Sequence, residues 1–240
     1  MPVYGGKKLY AGPTRLRRNL TRLWPDERIE ILVKKRGRLR QVQKVRRRGW
    51  MEYSSVEKIE GELHFPLKNK IKSLISGVGK KGRTPVVVDW GCGAGVALEE
   101  LASSCKQAKF YGFSNQAYPS WDTKQTNVRL IHAQEKDFKR YFKKNSADLI
   151  YSNFGLWHTK PDYVLSLIPV LRTGGEMVAN ILPSSMFRFY ELIPRGIRKQ
   201  AAYLKKDGVT TTRYWGHALI NGRKCKVTLI NNSVHIKVLN

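Results

Sequence analysis

The stretch Val86-Val87-Val88-Asp89-Trp90-Gly91-Cys92-Gly93-Ala94-Gly95-Val96-Ala97-Leu98 constrains this chain more than any other. Three β-branched residues in succession read as a buried strand. An acid follows them, then a G-x-G-x-G turn, then the opening of a helix. The glycines let the backbone turn sharply and let a ligand approach without a Cβ in the way. A lone glycine pattern is weak, but a strand before it and a helix after it make the signal strong. No Gly-Lys-Ser/Thr closes the turn, which excludes a P-loop.

The surrounding pattern agrees. Strand-like runs fall at 86–89, 110–113, 127–132, 148–153 and 176–182, with helical stretches between them at 96–105, 136–143 and 162–171, the last ending at Gly174-Gly175. Such alternation predicts a parallel sheet with helices on both faces. Past Leu182 the pattern predicts a helix over 185–204, then three strands at 210–220, 225–231 and 235–239. Asn221-Gly222 and Asn231-Asn232 supply the turns between them. A short helix is expected over 21–33, with Pro25 in its first turn. The division read from these textures is a basic extension over 1–60 and a cofactor-type domain over 61–240, of which 184–240 is the C-terminal helix and antiparallel strands.

Charge is the other strong signal. Of 240 residues, 45 are Lys or Arg and 18 are Asp or Glu, a formal net of +27. Residues 1–50 carry a net of +13, residues 51–182 only +5, and residues 183–240 +9. The excess therefore lies on the flanks of an ordinary middle, and its usual partner is a polyanion, most often nucleic acid. Arg36, Arg38, Arg46, Arg47 and Arg48 lie in the densest runs, and guanidinium suits bidentate contact with phosphate. Like-charge repulsion keeps such a run from collapsing on itself without a counter-charge. Trp50 and Tyr53 follow it as candidate base-stacking groups. A solvated tail is the competing reading of the same run.

Hydrophobic residues make up 41% of the chain, enough for a packed core, which excludes wholesale disorder. No run approaches the ~20 apolar residues of a membrane span. Cys92, Cys105 and Cys225 form neither a disulfide framework nor a metal-ligand spacing, so no metal is expected. They suggest the cytoplasm or another reducing compartment, with nucleus and mitochondrion left open. Residues 1–12 lack the apolar segment of a secretory signal. Oligomeric state is not legible.

Asp89-Trp90-Gly91-Cys92-Gly93-Ala94-Gly95 resembles the first motif of class I S-adenosylmethionine (SAM)-dependent methyltransferases. Asp148-Leu149-Ile150-Tyr151-Ser152-Asn153-Phe154-Gly155-Leu156-Trp157-His158 is similar to that family's fourth-strand run. Val170-Leu171-Arg172-Thr173-Gly174-Gly175-Glu176 is similar to its turn into the fifth strand. The resemblance covers roughly residues 62–182. It implies a Rossmann-like α/β fold, a seven-stranded mostly parallel sheet with a C-terminal antiparallel hairpin, here with a basic N-terminal extension. It implies SAM as cofactor, with Asp89, Gly91, Gly93 and Gly95 at the methionine end, Asn115 (or Ser114) at the ribose and Gln134 at the adenine. The family's usual ribose carboxylate is missing, since Gly112-Phe113-Ser114-Asn115 carries none. The acceptor is expected at the ends of the fourth and fifth strands. Asn153 and His158 are the candidate catalytic residues there, with Phe154 and Trp157 against the substrate.

The fourth-strand run lacks the prolines of the N-P-P-Y loop tied to exocyclic-amine methylation of bases, and no cysteine is placed for cytosine-C5 chemistry. These features give a SAM-dependent methyltransferase acting on RNA or a ribonucleoprotein as the leading expectation. Two alternatives remain: an RNA-binding protein that kept the fold and lost catalysis, and a small-molecule methyltransferase.

Overall fold

The computed structural model describes residues 31–35, 38–42, 55–118, 121, 125–157, 159–192, 199–206 and 209–239. Of residues 31–35, 38–42, 199–206 and 209–212 the backbone alone is described. The chain divides into two compact units, residues 1–50 and 51–240.

In the first unit, β1 (Ile31–Lys35) pairs antiparallel with β2 (Arg38–Val42), from Ile31↔Val42 to Lys35↔Arg38. Two expectations change here. The helix read over 21–33 gives way to a strand from Ile31, and the basic run pairs with itself. The ladder satisfies the backbone groups of both segments. Arg38 opens β2. Arg36, Arg46, Arg47, Arg48, Trp50 and Tyr53 lie outside the described residues.

The second unit opens with helices α1 (Val56–Leu63) and α2 (Leu67–Gly79). Ser55 caps α1, its hydroxyl accepting from the Lys58 amide, and His64 closes it in the left-handed region. A nine-stranded sheet follows, in the order β5-β4-β3-β6-β7-β11-β10-β9-β8. Its parallel half is β3 (Val86–Trp90), β4 (Lys109–Ser114), β5 (Val128–His132), β6 (Ala147–Ser152) and β7 (Leu171–Asn180), with α3 (Val96–Ser104) after β3. The short helix α4 (Phe138–Tyr141) follows β5, and α5 (Pro161–Leu165) follows β6.

Beyond β7 the chain forms α6 (Pro183–Glu191) and then β8 (Lys199–Lys206), β9 (Val209–Ile220), β10 (Arg223–Ile230) and β11 (Ser233–Val238), paired antiparallel throughout. The expected seven-stranded arrangement is present as the first seven strands of the order. β11 inserts antiparallel between β7 and β10, and β9 and β8 extend the sheet by two. The helix expected over 185–204 is replaced by α6 and the edge strand β8. Lys-Gln-Ala-Ala-Tyr-Leu-Lys-Lys has helix-forming composition, and pairing with β9 overrides it.

The third helix expectation changes as well. α5 stops at Leu165, and strand pairing resumes at Leu171. Register jumps from Ala147↔Leu171 to Leu149↔Glu176, so Arg172-Thr173-Gly174-Gly175 forms a bulge, with Gly174 at φ +80°. The bulge aims Arg172 at Asp148. That carboxylate also takes a two-pronged contact from Arg83 (2.8 and 2.9 Å) and the Val86 amide (2.8 Å), while Arg172 Nη1 lies 2.7 Å away. This clamp fixes the N-terminal ends of β3, β6 and β7. The core fills both sheet faces. One face holds Val88, Ile150, Met177, Val227 and Ile236 beneath α4, α5 and α6, and the other holds Val87, Leu149 and Val178 beneath α1, α2 and α3.

Candidate functional site

The C-terminal ends of β3 and β6 carry two loops that are built against one another. Gly91, Gly93 and Gly95 all have positive φ (79°, 53° and 80°), which the turn from β3 into α3 requires. A Cβ on Gly91 would fall 2.4 Å from the Gly155 Cα, and one on Gly155 would fall 2.2 Å from the Trp90 carbonyl oxygen. The buried Ser152 hydroxyl joins the two loops, donating to the Trp90 carbonyl (2.8 Å) and accepting from the Leu156 amide (2.9 Å). Glycine is thus a packing requirement at both positions, and at Gly91 a conformational one as well.

Asp89, in register between Gly112 and Tyr151, lies buried under the turn. Burial pushes its carboxyl up to about 7, and the nearby Tyr151 hydroxyl counters only in part. That hydroxyl is itself fully enclosed and falls short of a formed hydrogen bond. Burial and the Asp89 charge together push the Tyr151 phenol well above its ordinary value. Cys92 fills the space left by Gly112, where a Cβ would sit 2.7 Å from its Sγ. Burial, and then Asp89, raise the Cys92 thiol, so it stays protonated and packs rather than reacts. The Trp121 indole donates to the Gly93 carbonyl at 2.8 Å and ties the segment after β4 to the turn.

Asn115 and Gln134 are exposed, just beyond the ends of β4 and β5. Ser114 is committed locally, since its hydroxyl accepts from the Gln116 amide at 3.1 Å. Phe138 is buried in an aromatic cluster with Trp90 and Phe113, at 4.5 and 5.2 Å between ring centroids.

Asn153 belongs to a polar chain that the sequence did not reveal. Its amide nitrogen donates to Glu62 Oε2 at 2.6 Å, and its oxygen accepts from the Asn180 amide at 2.8 Å. The Ser233 hydroxyl donates to the Asn180 oxygen at 2.6 Å. Glu62 comes from the last turn of α1, Asn180 from the end of β7 and Ser233 from the start of β11. The only sequence signal was the alignment of amides at two strand ends; nothing local marked Glu62. Phe154 follows at φ +63° and is 45% exposed, its ring edge-on to Trp157 at 5.2 Å. A bulky side chain in the left-handed region is held there against its own preference. His158 lies outside the described residues.

A groove of about 360 Å³ lined by Lys139, Lys144 and Arg223 lies at the opposite ends of the strands, away from both loops. No group of three His, Cys, Asp or Glu residues among the described residues is placed to hold a metal ion. No helix among them is long and apolar enough to cross a membrane.

Comparison with known proteins finds a match over part of the chain. Residues 88–179 match the family described as a methyltransferase domain. No curated protein matches the chain significantly. Among solved structures, the chain is similar to an rRNA methylase from Streptococcus thermophilus (17% identity over 65% of this chain and 88% of that one, TM-score 0.43). It is similar to DesVI from Streptomyces venezuelae (16% identity, 80% and 81% covered, TM-score 0.40) and to the plantazolicin methyltransferase BamL (21% identity, 55% and 50% covered, TM-score 0.42).

Proposed function

From the premise that this chain carries a class I SAM-dependent methyltransferase domain, we propose that it transfers a methyl group to RNA or to a ribonucleoprotein component. The observation that carries this reading is the joint between the glycine turn and the Asn153 loop, which puts a cofactor surface and a polar acceptor surface side by side.

The residues present fit the cofactor. The turn over Gly91, Gly93 and Gly95 lets a ligand approach the backbone closely, and beneath it the buried Asp89 carboxyl lies beside the enclosed Tyr151 hydroxyl. Asn115 and Gln134 would hold the ribose and adenine ends. SAM supplies an electrophilic methyl group on a sulfonium. Everything else falls to the chain: alignment of an acceptor atom and removal of its proton if the acceptor is neutral. Asn180 and Glu62 fix the Asn153 amide from both sides, leaving its second N–H and second lone pair to orient an acceptor. Glu62 and His158 are the proton-accepting candidates. The exposed Phe154–Trp157 pair is suited to a flat acceptor such as a base.

Calorimetry with SAM and its demethylated product S-adenosylhomocysteine, followed by transfer of labelled methyl to RNA, tests the reading. Micromolar binding of both and label in RNA are expected. Absence of binding at high micromolar concentration would overturn the enzyme and favour a non-catalytic RNA-binding protein. That second reading rests on Asn115 standing where the family has a carboxylate. A lost charged hydrogen bond there weakens ribose binding by about 1–3 kcal/mol.

A further inference from the structure

The helices α1 and α2 cover one face of the sheet only as far as β11. Phe65 packs edge-on against His235 (5.4 Å), and the His235 Nε2–H donates to the Leu63 carbonyl at 2.9 Å. Burial lowers the His235 imidazole below its ordinary value, so this contact is made by a neutral ring. Beyond that boundary the same face continues over β10 and β9, where Lys224, His217 and Leu219 are exposed and Thr228 is buried.

The side chains on that face follow from the pairing. Cys225, Val227 and Leu229 point to the core, so Lys224, Lys226 and Thr228 point to the other face of β10. Their partners on β9 are Leu219, His217 and Trp215, with Arg213 two residues further on. Lys237 lies beside Lys226 on β11. Lys226 Nζ sits 5.0 Å above the Trp215 ring, and His217 stands edge-on to that ring at 6.0 Å. Arg213, His217 and Lys224 are exposed, as is Leu219 at 71%. The face therefore carries four cations interleaved with an indole and an imidazole. Glu176 on β7 is already held by Lys70 (2.7 Å) and Lys237 (3.5 Å).

We propose that this face of β9–β10–β11 is a platform for a single-stranded segment of nucleic acid, which the cations hold by its phosphates and Trp215 by stacking on a base. The proposal rests on the RNA reading above and gives it a location. Cations alternating with an aromatic ring are what an unpaired strand needs, since every base has a face to stack and every linkage a charge. A lipid surface would call for a larger apolar rim, and among the described residues of this face only Leu219 is a large exposed hydrophobic. The register also connects the platform to chemistry. Asn180, Ser233, Ile230 and Arg213 form one cross-strand row, so Arg213 lies roughly 14 Å, three strand spacings, from the Asn153–Asn180 pair. A strand held on the platform leads toward the acceptor loop.

The test uses the full chain and a fluorescently labelled oligouridine of about twelve nucleotides, titrated by anisotropy at several salt concentrations. Calorimetric binding of S-adenosylhomocysteine serves as the control for folding. The double variant Lys224→Glu, Lys226→Glu should weaken binding at least tenfold and lower the salt slope by about 1.4, the loss of two phosphate contacts on a single strand. Trp215→Ala should weaken it about fivefold or more with the salt slope unchanged, and Trp215→Phe should restore most of that loss. Unchanged affinity in both the charge-reversed and the Trp215→Ala protein, with the parent binding RNA, would overturn the platform and leave the RNA reading standing. A parent that binds no RNA would overturn both. Binding to anionic phospholipid vesicles that depends on Lys224 and Lys226, without RNA binding, would overturn the platform in favour of a membrane contact.

Discussion

The parallel half of the sheet and its antiparallel extension solve different problems with the same backbone ladder. Residues 51–182 are nearly balanced in charge and spend their polar groups inward. Asp148 is clamped by two arginines, Ser152 is sandwiched between loops, and Asn153 is fixed by Glu62 and Asn180. Residues 183–240 carry eleven basic against two acidic residues and present Arg213, Lys224, Lys226 and Lys237 on one face of β9–β10–β11. Polar groups turned inward hold a geometry; those turned outward form the surface proposed to hold a partner.

Separate substitutions can break this division. Gly155→Val should have the largest effect. Its side chain would collide with the Trp90 carbonyl and the Gly91 Cα, which are backbone and have nowhere to go. S-adenosylhomocysteine binding should weaken more than a hundredfold by calorimetry while RNA affinity changes less than twofold. Equal loss of both would show that the two halves are not separable.

Asp148→Ala comes next. It removes the carboxylate that both Arg83 and Arg172 bind, and because these guanidiniums keep 36% and 26% exposure, water can take over part of the contact, so the loss is about 1–3 kcal/mol. Urea denaturation should show that loss, and the same measurement on Lys224→Glu should show almost none.

Asp89 gives a pH test confined to the parallel half. Its folded carboxyl titrates near 7, against an ordinary value near 4 in the unfolded chain. Between those values the unfolded chain has released the proton and the folded one has not. Stability from this group is therefore complete below pH 4, falls as pH rises toward 7, and is level above it. The slope is about 1.4 kcal/mol per pH unit, of order 4 kcal/mol in all. Asp89→Asn should lack that fall, and parallel pH profiles for the two proteins would show that Asp89 titrates normally.

Glu62→Gln should be the mildest. It keeps an acceptor for the Asn153 amide but removes the charge, so kcat should drop about tenfold with KM unchanged if Glu62 takes up the proton. A rise in KM alone would make it a positioning residue.

What the sequence made legible was local. A strand, a glycine turn and a helix over 86–98 announce themselves because each neighbour constrains the next, and the ordered runs after them fixed the parallel half. Glu62 escaped because it meets Asn153 across ninety-one positions of chain and carries no pattern of its own. Gly155 escaped because its requirement is set by the Trp90 carbonyl, which no motif around Asn153 mentions. β8 was misread because alanine, leucine and lysine describe a helix until another strand offers its edge. The bulge at 172–175 was taken for the end of a helix because both use glycine at positive φ.

One feature of the topology bears on how the protein is made. β11, the last strand of the order in sequence, is not at an edge. It lies between β7 and β10 and bonds to both. While a ribosome is still synthesising the chain, β3 to β7 can assemble from nearby segments. The sheet stays split, however, until residues 233–238 emerge and close the gap. Long-range closure of this kind is slow and leaves two unpaired edges in the interim. A nascent chain paused before β11 would thus offer the open flanks of β7 and β10 to any other strand, and chaperone dependence should concentrate in that interval.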